Sequence, residues 1–384
     1  GGRRASAFPV TAVSPDDAAA RPRPKVHFTA EEGWINDPYG IAWVDDRYHL
    51  YYQAVPGQVV WGPNCHWGHA ESPDLVHWSE QPLALVPQEF EVGCWSGSVV
   101  HGEEPTIFYT RVVGDDWGLG KVAAARPDPI TGRWRTCEDD VLVDGPPAEL
   151  PVRAFRDPFV FRYNDDWIML VGVARTDGTA AALQYRSTDL KAWLYDGVLC
   201  ARPEDRGDDV WTGALWECPQ LFPLGDVWVL LVSVWSADTL YHVAAATGSY
   251  DGRTFTPRAW QQLTHGTSAY AMTAFADRDG RRCVLSWLRE EPQNDPTLVR
   301  RAGAHSVAAV VTLDAAGSLV LSPHPDLSAL RQGPLQPEPA QTEFRYTTGD
   351  EAVELTLTPT ERLRCELLDG DRSRLTVTWD AAEE

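Results

Sequence analysis

Three acidic residues of this chain stand in settings unlike those of a solvated charge. Asp37 lies in Trp34-Ile-Asn-Asp-Pro-Tyr-Gly40, Asp157 in Phe155-Arg-Asp-Pro158 and Glu217 in Leu215-Trp-Glu-Cys-Pro219. Each is wedged among apolar residues and a proline, and the three are 120 and 60 residues apart. Two carboxylates flanking a scissile bond, one ionised and one protonated, are what glycoside hydrolysis needs. The ionised one attacks the anomeric carbon, while an acid of raised pKa protonates the leaving oxygen. Trp216 and Cys218 are expected to raise the pKa of Glu217 by excluding water, and Arg156 to keep Asp157 ionised for holding sugar hydroxyls. A single Asp-Pro merely starts a turn, which is the reading for Asp128-Pro129 and Asp295-Pro296.

The elements that must carry these groups repeat along the chain. Gly40–Ala54, Val99–Val113, Phe159–Val173, Gln220–Val234 and Thr273–Leu288 each read as a hairpin, with β-branched and aromatic runs around a turn rich in Asp, Asn and Gly. After each hairpin comes a short polar turn closed by a large apolar residue: Ser72–Trp78, Pro127–Trp134, Ser187–Trp193, Ser249–Phe255 and, more weakly, Leu313–Leu319. The closing residues are 56, 59, 62 and 64 positions apart. Five units of about four strands point to an all-β, five-bladed β-propeller. Asp37, Asp157 and Glu217 open the first, third and fourth units, so a closed ring turns them toward one axis.

The propeller is expected over residues 25–323, after a flexible N-terminal segment at 1–24. A Pro/Gln/Glu-rich linker at 324–342 leads to strands at 343–384, a short and truncated part of a C-terminal β-sandwich. Residues 1–24 lack an apolar run of the signal-peptide kind.

Composition narrows the partners. With 33 Lys and Arg against 55 Asp and Glu, the net charge of −22 argues against nucleic acid and anionic membrane surfaces. No apolar run is long enough to span a bilayer as a helix. Seventeen Trp in 384 residues supply flat apolar faces suited to the C–H faces of a neutral sugar, although most should fill the core. The seven Cys are scattered and contain no C-x-x-C, so neither a disulfide framework nor a zinc site is expected, and the His66–His69 pair reads as structural. Free cysteines and the missing signal favour the cytoplasm. Nothing in the sequence speaks to oligomeric state.

These segments resemble glycoside hydrolase family 32, the invertase, inulinase and levanase group, across roughly residues 25–323. The motifs are Trp-x-Asn-Asp-Pro-x-Gly at 34–40, Phe-Arg-Asp-Pro at 155–158 and Trp-Glu-Cys-Pro at 216–219. Tyr51-Tyr-Gln53, Trp61-Gly62, His66–Ala70 and Trp95–Ser98 support them. The resemblance implies cleavage of β-D-fructofuranosides with retention: Asp37 as nucleophile, Glu217 as general acid/base and Asp157 as transition-state stabiliser. It implies that Trp34, Asn36, Gln53, Trp61, Trp95, Ser96 and Arg156 line the fructose subsite, with no metal or cofactor. Tyr39 stands where the family usually has a second Asn, and His265 lies at or beside a usual Asp-x-Gly segment.

Other readings share the repeats. A fructosyltransferase would use the same groups and differ in what resolves the intermediate. An inverting arabinanase- or xylosidase-like propeller would need wider carboxyl separation. A sugar-binding propeller would need the Trp faces but not both carboxylates, and a purely structural propeller neither.

Overall fold

The computed structural model describes residues 23–291, 300–333, 362–369 and 372–380. Five antiparallel sheets follow one another along the chain. Blade 1 holds β1 (Gly33–Val44), β2 (Arg47–Val55), β3 (His66–Ser72) and β4 (Ser79–Leu85). Blade 2 holds β5 (Gly93–Val100), β6 (Thr106–Val112), β7 (Lys121–Pro127) and β8 (Trp134–Val143). Blade 3 holds β9 (Val152–Tyr163), β10 (Asp166–Arg175), β11 (Thr179–Ser187) and β12 (Leu194–Pro203). Blade 4 holds β13 (Leu215–Leu224), β14 (Val227–Ser236), β15 (Thr239–Tyr250) and β16 (Phe255–Gln262). Blade 5 opens with β17 (Ala269–Ala276) and β18 (Arg282–Leu288). After the two-residue strands β19 (Arg301–Ala302) and β20 (Ala304–His305) it ends with β21 (Ala309–Leu313) and β22 (Leu319–Pro323). The protein is a five-bladed β-propeller.

The middle strands are apolar on both faces because both faces are buried. In β10, Ile168 and Leu170 pack toward blade 4, with Leu230 and Val232. Met169 and Val171 on the opposite face pack toward blade 2, with Phe108 and Val122. Comparable clusters fill the other seams, Tyr51 with Ile107, Val229 with Val284 and Tyr52 with Leu285, so burial at the seams drives ring closure. The third strands carry small residues where blades approach, as in Ala180–Ala182 and Ala244–Ala246.

The ring closes through a segment after blade 5. β19 pairs in parallel with β1 while β20 pairs with β18, tying the last blade to the first. His305 completes the tie, its Nε2 2.7 Å from the Asn36 carbonyl oxygen of blade 1. The repeated Asp of the polar turns has a local task. Asp74, Asp128, Asp189, Asp251 and Asp314 each accept from two backbone N–H groups just downstream, fixing the turn into the fourth strand.

The first compact unit extends to Arg331, beyond the expected boundary at 323. A 3-10 turn at Pro325–Leu330 is capped by His324, which is buried against Asp277, and Asp326 pairs with Arg278 at 2.9 Å. Part of the segment read as linker is therefore fastened to the propeller by burial and charge. In the second unit, β23 (Arg362–Asp369) and β24 (Arg372–Asp380) form a two-stranded antiparallel sheet. Of the strands expected over 343–384, any before residue 362 lie outside the described residues, as do the remainder of the linker, most of the N-terminal segment and Asp295-Pro296.

One close approach sets the blade 3–blade 4 seam. A Cβ on Gly172 would come 2.1 Å from the Trp216 carbonyl oxygen, on the strand that carries Glu217. Gly172→Ala is expected to lower stability by about 2–4 kcal/mol, seen as a lower urea midpoint at unchanged slope.

Candidate active site

Each first strand of a blade carries an extra residue at the same height. The register slips at Asn36-Asp37, Ser96, Asp157-Pro158, Cys218-Pro219 and Ala271-Met272. A bulge re-aims side chains, and a proline costs no ladder bond there. This gives the Asp-Pro and Cys-Pro pairs a mechanical reason. Asp157, Cys218 and Ala271 have φ of 65°, 47° and 46°, left-handed values that β-carbons resist and that cluster at functional sites.

The bulges ring a pocket of about 480 Å³ at one end of the axis. Asp37, Asp157 and Glu217 all line it, and so do Trp34, Asn36, Gln53, Trp61, Trp95, Ser96 and Arg156. Tyr39 is not among its lining residues and packs on Trp67, with ring centroids 4.0 Å apart. His265 is exposed and also does not line it.

Hydrogen bonds aim the carboxylates. Ser96 Oγ donates to Asp37 Oδ2 at 2.6 Å and Asn36 Nδ2 to Asp37 Oδ1 at 2.9 Å. Trp34 Nε1 and Gln53 Nε2 both donate to Asn36 Oδ1, which fixes the amide. Burial pushes the Asp37 pKa up, Ser96 and Asn36 oppose this, and Glu217 adds to it.

Arg156 does more than the sequence suggested. Its Nε and Nη2 reach Glu217 Oε1 at 3.0 and 2.7 Å, so the fork holds the carboxylate of the next blade. Arg156 and Glu217 both immediately precede their bulges, so they share one height in the ring and meet. Asp157 corresponds to Cys218, whose backbone N–H it accepts at 2.9 Å. Burial pushes the Asp157 carboxyl up to about 7; Arg156 works against the rise, and Glu217 and Asp37 add to it. The Cys218 thiol is held protonated by burial and sits 3.6 Å from Asp37 and 3.7 Å from Asp157.

The expected apolar flanks of Glu217 are also corrected. The Trp216 side chain is fully buried in the blade 3–blade 4 core, its indole N–H bonded to the Thr212 carbonyl. Glu217 meets Tyr270 instead, whose hydroxyl donates to Oε2 at 2.7 Å. Tyr270 went unnoticed in the sequence; its signal was its place one residue before the fifth bulge. Trp235, Asp238, Leu240, Trp287 and Glu291 complete the wall on the side of blades 4 and 5.

Two predictions arise from this network. Tyr270→Phe leaves Oε2 of Glu217 without its donor; a roughly tenfold fall in kcat, about the worth of one charge-assisted hydrogen bond, should accompany a displaced limb of the pH–rate profile. Unchanged kcat and profile would refute that role. Asp157→Asn should stabilise the fold at alkaline pH. The folded carboxyl titrates near 7 and the unfolded one near its ordinary value, so both are neutral below about pH 4. As pH climbs toward 7 the unfolded chain ionises and the folded chain resists, so the native protein loses stability. Asparagine escapes this, and a gain on the order of 1–3 kcal/mol at pH 8, vanishing near pH 4, is expected in urea unfolding.

The histidines at 66 and 69 do not converge. His66 Nδ1 bonds to the Asn64 carbonyl. His69 Nε2 lies 3.0 Å from His49 Nδ1, with Glu71 beside the pair. The two rings are 8° from parallel and their centroids 5.2 Å apart, so the nitrogens face each other along the line of centres. That is a direct imidazole hydrogen bond. A zinc ion would need both lone pairs to meet at a third point about 2 Å from each nitrogen.

Comparison with known proteins agrees with this architecture. The family described as "Glycosyl hydrolases family 32 N-terminal domain" matches residues 27–323. The chain is 32% identical over 354 residues to a sucrose-6-phosphate hydrolase of Escherichia coli, covering 87% of this chain and 72% of the relative. It is 31% identical over 345 residues to an insoluble β-fructofuranosidase isoenzyme of Arabidopsis thaliana, covering 80% and 56%. Among solved structures, a Bombyx mori β-fructofuranosidase in complex with sucrose superposes with a TM-score of 0.71 at 28% identity, covering 82% of this chain and 68% of that one. A fructan 1-exohydrolase of Cichorium intybus in complex with 1-kestose gives 0.69 at 28%, covering 81% and 62%. By the match over nearly the whole propeller and the pocket at its axis, the chain belongs to glycosyl hydrolases family 32 and is a glycosidase.

Proposed function

We propose that the chain hydrolyses β-D-fructofuranosides with retention of configuration, through a fructosyl ester on Asp37. The observation that carries this reading is the convergence of Asp37, Asp157 and Glu217, from blades 1, 3 and 4, on one pocket of about 480 Å³. The names of the relatives support the substrate class. Asp37, aimed by Ser96 and Asn36, attacks the anomeric carbon. Glu217 protonates the departing oxygen, then takes a proton from the water that cleaves the ester. Arg156 on one oxygen and Tyr270 on the other keep it in place across both steps. Asp157 accepts from the furanose hydroxyls, and Trp34, Asn36, Gln53, Trp61, Trp95, Ser96 and Arg156 form the rest of the fructose subsite. The seven free cysteines suit a reducing, cytoplasmic setting.

The test is product analysis after incubation with sucrose, inulin, levan and short fructo-oligosaccharides, with NMR of the first anomer released. β-Fructofuranose as first product is expected. The α-anomer would exclude retention, products longer than the substrate would mean transfer, and no fructose from any substrate would end the fructosidase reading.

A further inference from the structure

A row of indoles leads out of the pocket and past its rim. Trp61 and Trp95 line the pocket, and Trp61 is 42% exposed. The Trp61 ring makes edge contacts with Trp95 at 5.5 Å and with Trp117 at 6.4 Å. Trp117 is not among the lining residues; it stands in the connection between β6 and β7 of blade 2 and is 41% exposed. Isolated exposed apolar side chains need no explanation, but a contiguous row running from a ligand pocket does.

The exposure of Trp117 does not come from a loose loop. The Gly118 carbonyl accepts from the Phe155 N–H at 2.9 Å, Gly120 N–H donates to the Phe155 carbonyl at 3.1 Å, and Leu119 bridges Phe155 in parallel. A Cβ on Gly118 would come 2.6 Å from the Arg153 carbonyl oxygen, so glycine permits this approach. The turn is thereby fastened to β9, the strand that carries Asp157, and the indole is held at a set place beside the pocket. Asp115 and Asp116 put two exposed carboxylates next to it, and Asp116 Oδ1 accepts from Gly118 N–H at 3.2 Å.

We infer that Trp117 is a platform for a sugar unit beyond the two that the pocket encloses, which makes it a chain-length determinant for saccharides of three or more units. The inference rests on the fructosidase reading, which puts the furanose among the three carboxylates. The pocket of about 480 Å³ falls in the range of about 300–1,000 Å³ that encloses a drug-sized ligand, the size of a disaccharide. A third unit therefore lies outside it, and on the side of blades 1 and 2 it meets Trp61 and then Trp117. The C–H face of that unit rests on indole, and its hydroxyls donate to the carboxylates of Asp115 and Asp116.

The test compares sucrose with 1-kestose and nystose, which extend it by one and two fructosyl units. Trp117→Ala should lower the ratio of kcat/KM for 1-kestose to that for sucrose by about tenfold, the scale on which a contacting Trp counts when truncated. Nystose should follow 1-kestose. Trp117→Phe keeps a flat face and should recover most of the ratio. A ratio unmoved by Trp117→Ala, or lowered as far by Trp117→Phe, overturns the inference. Calorimetric binding to the Asp37→Asn protein, with and without Trp117→Ala, separates this reading from the fructosidase one. Binding of 1-kestose weakened more than that of sucrose upholds the platform even if neither sugar is turned over, which would count only against the fructosidase reading. Equal weakening of both, no change in either, or no binding of 1-kestose overturns the platform.

Discussion

Asp37→Asn is expected to lower sucrose turnover by about 10⁴-fold or more, the scale on which enzymes lose rate when their nucleophile is removed. The substitution is nearly isosteric. The amide oxygen can still accept from Ser96 Oγ, now 2.6 Å from Oδ2, and the side chain stays among Asn36, Ser96 and Cys218. Burial already opposes charge at this position, so a neutral amide should not destabilise the fold. The loss should therefore fall on kcat, with sucrose binding by calorimetry little changed. A variant that keeps kcat within tenfold of wild type would remove Asp37 from the chemistry. One that no longer binds sucrose would make it a binding residue instead.

Glu217→Gln should cost about 10²–10⁴ in kcat on sucrose, the usual worth of a general acid. Its signature is selectivity among leaving groups. A fructoside whose leaving group is already acidic needs no proton, so its first step should proceed at close to the wild-type rate. The second step then lacks its base, and the fructosyl ester on Asp37 should accumulate and be visible by intact-protein mass spectrometry. The glutamine oxygen can still accept from Arg156 or Tyr270, which keeps the geometry while removing the transferable proton. Equal losses on both substrates with no ester would mean that Glu217 only positions Arg156.

Much of this was legible in the linear chain, for local reasons. Each blade must encode its own hairpin and its own Asp-anchored turn, because those hydrogen bonds span only a few residues, as at Asp74 with Val76 and His77. Five copies in sequence therefore announce five blades, and continuous apolar runs such as Ile168–Val171 announce strands buried on both faces. The three carboxylates stood out because charge among apolar residues and proline is costly unless it is used.

What the period could not supply was the height of each side chain at the axis. A bulge shifts the register by one residue, and one residue turns a strand's side chains to the other face. That shift, repeated in the blades, decided that Arg156 meets Glu217 and not Asp157, and that Tyr270 reaches Glu217 from 53 residues away. It also left Asp157 under the backbone N–H of Cys218, with a carboxyl pushed up to about 7. The composition and repeats of this chain fixed a five-bladed ring with acids facing inward. Only closing the ring, driven by burial at its seams, determined which acid each neighbour holds, because partners on adjacent blades lie about sixty residues apart and no local rule links them.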